Sequence, residues 1–431
     1  MAEQGSNIVK YKNASAIILF LTFWFVTISF AGWIKVDTIA LYVIRFIPSL
    51  IVLGFLSFLV ISGGSSNSIK LNKLYTFPLS DPVVLFYIYL FWAMFSLLYS
   101  MPKASSEYFF KGFGYLFGYI VAIINIFLIY NILFSQQNII DTDSITSLNN
   151  TRDPVARAAF CSIFIILVVI FFMSFRTLLA WSSDRILSGL QPATIGLLVM
   201  GVIIYTIAYR PTIPRIIICG IGLILVAKGY SRTSMIAISF SAVMVLLLRY
   251  RVFSALMVIG LVALIIFMPG IVYMISEDVL YLHDPEKGVG YLSGRTAIWG
   301  FVWQLFLKNP IIGIGFRMSD TVVQKALGEA SVHNVYLTTL AETGIVGTFF
   351  MMLAVCFALY RLFIMAWKYQ DKNCIFYFGV LMGASIFGMA ESNLINIGNV
   401  SSIICLVGLI YSRIKYNIYL TYDKSLSNNS T

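Results

Sequence analysis

The side chains best suited to chemistry in this sequence are two arginines and a histidine, set far apart in a chain that is otherwise poor in charge. Arg232 follows Ser231, and Arg295 follows Ser293-Gly294; each serine is of the type that caps the N-terminus of a helix. The first turn of a helix carries about half a positive charge, so a cation there is disfavoured by ~0.3–1 kcal/mol unless an anion joins it. With an anion present, the exposed N–H groups and the forked guanidinium suit a phosphate. Either arginine alone is as readily explained by a side chain reaching for the headgroups at the edge of an apolar segment. Two in matching positions favour a shared ligand.

His333 could take a proton from a hydroxyl, since an unperturbed imidazole titrates at about pH 6.5. A lone histidine at a helix start also serves commonly as a structural group. His283, in Leu282-His283-Asp284-Pro285, is a weaker rival in a turn-like, polar setting. Lys228, beside Gly229, could add charge to the Arg232 site or cap the carbonyls of the preceding helix. Glu342 could orient His333 or simply solvate a helix entrance.

The elements that must position these groups are membrane helices. The chain has 431 residues, 60% of them hydrophobic and 11% charged, with a mean hydropathy of +0.90, far from a soluble domain. A bilayer core needs ~20 apolar residues per spanning helix, and the alternation of barrel strands is nowhere evident. Apolar runs place spans near 14–34, 39–61, 82–100, 113–134, 158–174, 192–209, 213–228, 233–248, 252–274, 344–366, 373–390 and 396–413. The expected fold is therefore an all-α integral membrane protein of about twelve transmembrane helices, forming a single domain over 1–431.

The formal charge of +11 comes in twos and threes between apolar runs and forms no stripe for nucleic acid; topology accounts for it. Sixteen lysines and arginines fall on the side of the termini and seven in the short loops opposite. By the positive-inside rule both termini are expected in the cytoplasm. The five cysteines lie in or beside apolar segments without metal or disulfide spacing.

One large loop remains, 275–343, between the ninth and tenth spans and expected on the outer side. It holds both histidines and five of the basic residues, Arg295 and Arg317 among them. Within it, Ile298, Val302 and Phe306 recur at helical spacing with Trp299 and Trp303 beside them, which predicts an amphipathic helix over 297–307 suited to the headgroup layer. Asn309-Pro310 stops it, Gly313 and Gly315 permit a tight turn, and a second short helix is expected at 319–327.

These residues together resemble the O-antigen ligase and polymerase family of bacterial membrane glycosyltransferases. The resemblance is carried by Gly229-Tyr230-Ser231-Arg232-Thr233, then Ser293-Gly294-Arg295-Thr296-Ala297-Ile298-Trp299, then Asn309-Pro310-Ile311-Ile312-Gly313-Ile314-Gly315, and finally His333-Asn334-Val335-Tyr336-Leu337 with Glu342-Thr343-Gly344-Ile345-Val346-Gly347. Order and spacing both fit, over roughly 229–347; the first half matches only as a succession of spans. The resemblance implies a glycan donor carried on undecaprenyl diphosphate, with Arg232 and Arg295 holding the diphosphate and His333 activating the acceptor hydroxyl. Lys228, Arg317, Asn334 and Tyr336 are the further candidates for binding substrate. It implies no cofactor and no metal, and an inner-membrane protein with its site on the periplasmic face.

Such a leaving group departs as an anion and asks for fixed positive charge more than for a general acid. With one base and no nucleophile beside it, a single inverting displacement is expected. A ligase acting on the lipid A core and a polymerase acting on a second lipid-linked repeat unit both fit the motifs, the ligase slightly better for its one dominant loop. A lipid-linked oligosaccharide flippase is the alternative of another class, but transporters place ionisable groups near the midplane of their spans.

Overall fold

The computed structural model describes residues 17–27, 47–57, 80–100, 106–135, 153–179, 192–228, 231–251, 256, 259, 260, 295–328, 331–391 and 400–429. The described residues form helices and no strand. In chain order these are α1 (Ile17–Thr27) and α2 (Ile47–Ser57), then α3 (Pro82–Ser100), α4 (Ser106–Ser135), α5 (Pro154–Leu179), α6 (Pro192–Tyr209), α7 (Ile213–Lys228), α8 (Arg232–Arg249), α9 (Arg295–Lys308), α10 (Ser319–Leu327), α11 (Val335–Tyr369), α12 (Lys372–Phe387) and α13 (Val400–Asn429). Five helices, α3, α4, α5, α11 and α13, contain stretches long and apolar enough to cross a membrane; α1, α2, α6, α7, α8 and α12 are shorter apolar helices.

Local signals set these boundaries. Asp81-Pro82 opens α3: the carboxylate accepts from the backbone N–H of Val83 at 2.9 Å, and proline fits the first helical position, where an N–H would have no partner. Asp153-Pro154 opens α5 in the same way. Asp371 caps α12, accepting from the N–H groups of Asn373 and Cys374. The helices α3, α6 and α7 coincide with the expected spans, and α10 with the expected short helix. The expected ninth span, 252–274, and most of the first part of the loop, with His283 and Ser293, lie outside the described residues.

The tenth span differs from its expected form. Its helix starts at Val335, nine residues before the expected 344, and Gly344 interrupts it with φ 67°. The reason is a close approach of two backbones. The Asn309–Gly315 loop packs on this point: Ile314 N–H donates to Ala341 O at 2.8 Å, Gly315 N–H to Glu342 O at 3.1 Å, and Ile345 N–H to Pro310 O at 2.8 Å. A Cβ on Gly344 would stand 2.1 Å from Ile311 O, and one on Gly313 would stand 2.4 Å from the Glu342 carbonyl. From α3, Ser96 Oγ donates toward Ile312 O and Glu342 O, and Trp92 Nε1 donates to Thr343 O. The break thus exchanges helical bonds for tertiary ones, which give the carbonyls of Ala341, Glu342 and Thr343 partners in a setting without water.

The core runs through the bundle, with α11 packed along α3 and α12 set between α8 and α6. Glycines let the α12 backbone approach closely: a Cβ on Gly379 would fall 2.3 Å from Val245, and one on Gly383 would fall 2.3 Å from Ser241 Oγ. Small residues at such contacts are what packing in lipid selects.

Candidate functional site

At one end of the bundle the start of α11 docks on the end of α12. Val335 N–H donates to Gly388 O at 2.8 Å, Asn334 Nδ2 to Met389 O at 2.9 Å and Tyr336 Oη to Ser385 O at 2.6 Å. Asn334 also caps α11, its side-chain oxygen accepting from the N–H groups of Tyr336 and Leu337. Asn334 and Tyr336, expected to bind substrate, are therefore both engaged in holding this junction. His333 sits just before the cap, with the left-handed φ of 52°.

The junction delivers a carboxylate to the imidazole. Glu391 follows the turn that ends α12, and its Oε2 lies 3.1 Å from His333 Nδ1. Its other oxygen, Oε1, accepts from Arg295 Nη2 at 3.0 Å, while Arg295 Nη1 donates to Ala390 O at 2.7 Å. The two groups singled out in the large loop, Arg295 and His333, thus meet on one carboxylate. Glu391 is 9% exposed, while Arg295 and His333 are 26% and 25% exposed: the bridging acid is buried and the groups it holds reach solvent.

Arg295 is the first residue of α9, and the anion that a cation at a helix start calls for is supplied by Glu391. The pairing uses two of the five guanidinium N–H donors and leaves three for a ligand. Glu391 fixes the imidazole as well. If it accepts from Nδ1–H, the lone pair of Nε2 is free to take a proton.

Glu342 does something else. It is buried, and its carboxylate accepts from Ser319 N–H at 3.3 Å and Ser319 Oγ at 2.6 Å, so it fastens the start of α10 and does not orient His333. Arg317 is also buried, 7% exposed, with its guanidinium 4.3 Å from the centre of the Tyr115 ring and 3.6 Å from Asp320. It lies in this second nest, apart from the Glu391 cluster.

The side chains of Lys228 and Arg232 lie outside the described residues, but the backbone of α8 is clear. Ser231 stands at its N-cap, as expected, although its hydroxyl bonds Ser234 Oγ at 2.6 Å and not a backbone N–H. With Gly379 against Val245 and Gly383 against Ser241, α12 and α8 run antiparallel. The start of α8, at Arg232 and Thr233, therefore lies toward the end of α12 that Glu391 follows.

Glu391 is the residue that reading the sequence missed. The available signal was an isolated acid at the end of an apolar span, where an ionisable group asks for a reason. Nothing in the spacing could connect it to His333, 58 residues earlier.

The described residues form a bundle of apolar helices, several long enough to cross a membrane, that gathers an arginine, a carboxylate and a histidine at one end. Residues 216–352, from α7 through the break in α11, match the model of a family described as O-antigen ligase. No curated protein matches the chain.

Proposed function

We propose that this chain is an inverting, metal-independent glycosyltransferase of the O-antigen ligase type. It moves a glycan from undecaprenyl diphosphate to a hydroxyl of the lipid A core. The observation that carries the reading is the Glu391 carboxylate shared by Arg295 and His333. An acid that orients an imidazole on one oxygen and a guanidinium on the other sets a base and an anion-binding group side by side, which is what attack by a hydroxyl on a diphosphate-linked sugar requires.

In this reading the acceptor hydroxyl attacks the anomeric carbon as its proton passes to His333 Nε2. The carbon–oxygen bond to the diphosphate breaks, and its electron pair leaves on phosphate oxygen. Arg295, with the free donors of its fork, meets the charge that develops there; Arg232, at the start of α8 on the same end of the bundle, meets the second phosphate. One displacement inverts the anomeric centre. The family match supports glycan transfer in general, and the distribution of lysine and arginine supports a periplasmic site with both termini in the cytoplasm.

The test is purified protein in detergent, supplied with a lipid-linked glycan donor and either lipid A core or a second lipid-linked repeat unit. Glycan covalently attached to the core, with inverted linkage, is the expected product. Extension of the lipid-linked unit instead would make the chain a polymerase. Movement of the donor across a vesicle membrane with no covalent product would overturn the enzymatic reading.

A further inference from the structure

We propose that Trp299 and Asp320 are positioning residues for the His333 imidazole, because they grip the residue before it from both sides. The inference rests on the reading of His333 as the base. Val332 is fully buried. Its carbonyl accepts from Trp299 Nε1 at 3.0 Å, and its N–H donates to Asp320 Oδ1 at 3.4 Å. Its side chain packs in a small separate cluster with Ile298, Val302, Val323 and Ala341.

On the other side of His333, Asn334 is fixed by its capping bonds and by Met389 O. His333 is therefore a single residue between two anchors, and it carries the left-handed backbone that a residue with a Cβ rarely adopts. Such a conformation persists only where its surroundings over-determine it.

The two anchors have origins that connect them to the chemistry. Trp299 stands one turn after Arg295 on α9, so the helix that presents the guanidinium also holds the segment that presents the base. Asp320 is held in turn by Arg317, whose guanidinium rests on Tyr115. This gives the buried Arg317 a part in the site without contact to substrate: it fixes the carboxylate that fixes Val332.

The experiment uses the chain's two histidines. In full-length protein carrying His283→Gln, His333 is the only imidazole, and the rate of its modification by diethyl pyrocarbonate reports its setting without reference to turnover. Trp299→Phe keeps the ring and removes the N–H. Its expected effect is a fall in kcat of about ten- to a hundredfold with the donor KM held within about twofold, together with a changed modification rate and a displaced kcat against pH profile. Asp320→Ala is expected to behave alike, while Asp320→Asn, which keeps an oxygen for the Val332 N–H, recovers most of the turnover. This second pair carries the test if Trp299→Phe fails to fold.

Parental turnover and parental reactivity in Trp299→Phe would overturn the proposal, as would a raised KM with kcat unchanged, which would make Trp299 a substrate contact. The two readings fail separately. A His333→Ala protein that still transfers glycan removes the base assignment even where Trp299→Phe alters reactivity; an inactive His333→Ala beside a normal Trp299→Phe removes only the positioning role.

Discussion

Two clusters of ionisable groups at opposite ends of the bundle are used in opposite ways. At the end away from His333, Asp81 pairs with Arg413 at 3.1 Å and faces Arg361 at 4.0 Å, and Asp371 pairs with Lys415 at 3.0 Å and accepts from Tyr419 Oη at 3.0 Å. Asp153 accepts from Tyr130 and Tyr377. These carboxylates, guanidiniums and the ammonium are all at most 7% exposed, and the acids also serve as helix starts. At the His333 end the acid is buried, but its arginine and histidine are about one-quarter exposed. Charge closed off on every side fastens helices together; charge held on one side and open on the other is available to a ligand. The difference lies in what remains unspent after the protein's own contacts are made.

Substitutions can break or sharpen that contrast. The largest effect is expected from His333→Ala, a loss of about 10²- to 10⁴-fold in transfer, the usual worth of a general base, with the unfolding temperature in detergent unchanged. At the opposite end, Asp371→Ala should do the reverse. It strands Lys415 and uncaps α12, costing about 3–5 kcal/mol of stability, read as a shift in thermal unfolding, while turnover per folded molecule stays near normal. Glu391→Gln lies between: an amide still accepts a bond from the imidazole but carries no charge to pair with Arg295, and a fall in kcat of about tenfold or more is expected. If Glu391→Gln instead behaved like Asp371→Ala, unfolding the protein without altering kcat, the contrast between the ends would collapse. Arg295→Lys should weaken donor binding by about tenfold, since an ammonium cannot reproduce the fork, as measured by donor KM. Gly344→Ala should cost about 1–3 kcal/mol for a Cβ forced into positive φ and more for its approach to Ile311 O, read as a lower unfolding temperature.

How much of this could be read from the chain depended on distance along it. Asp-Pro starts, apolar runs and the Asn309-Pro310 stop act within a few residues, and so the limits of α3, α6, α7 and α10 follow from the sequence. Arg295 and His333 were legible as chemistry because their types are rare in such a composition. Their meeting on Glu391 was not, because a carboxylate at the end of one span carries no mark of the imidazole it serves. Glu342 looked the better partner, being closer in sequence, but the turn of α11 directs it to Ser319 instead. The break at Gly344 escaped for a similar reason. A glycine beside an apolar run reads as a helix boundary, and only the loop folded against it makes it an interruption inside a longer helix.

That interruption sets how well the site can be aimed. The nine residues of α11 ahead of Gly344 rise about 1.5 Å each, so they form an arm of about 13 Å with His333 at its tip. A swing of about five degrees at the base would carry the imidazole by about 1 Å, enough to change a rate by two orders of magnitude. The bonds from Pro310, Ile314, Gly315, Trp92 and Ser96 that clamp the base of this arm therefore set where His333 stands, at a point none of them touches.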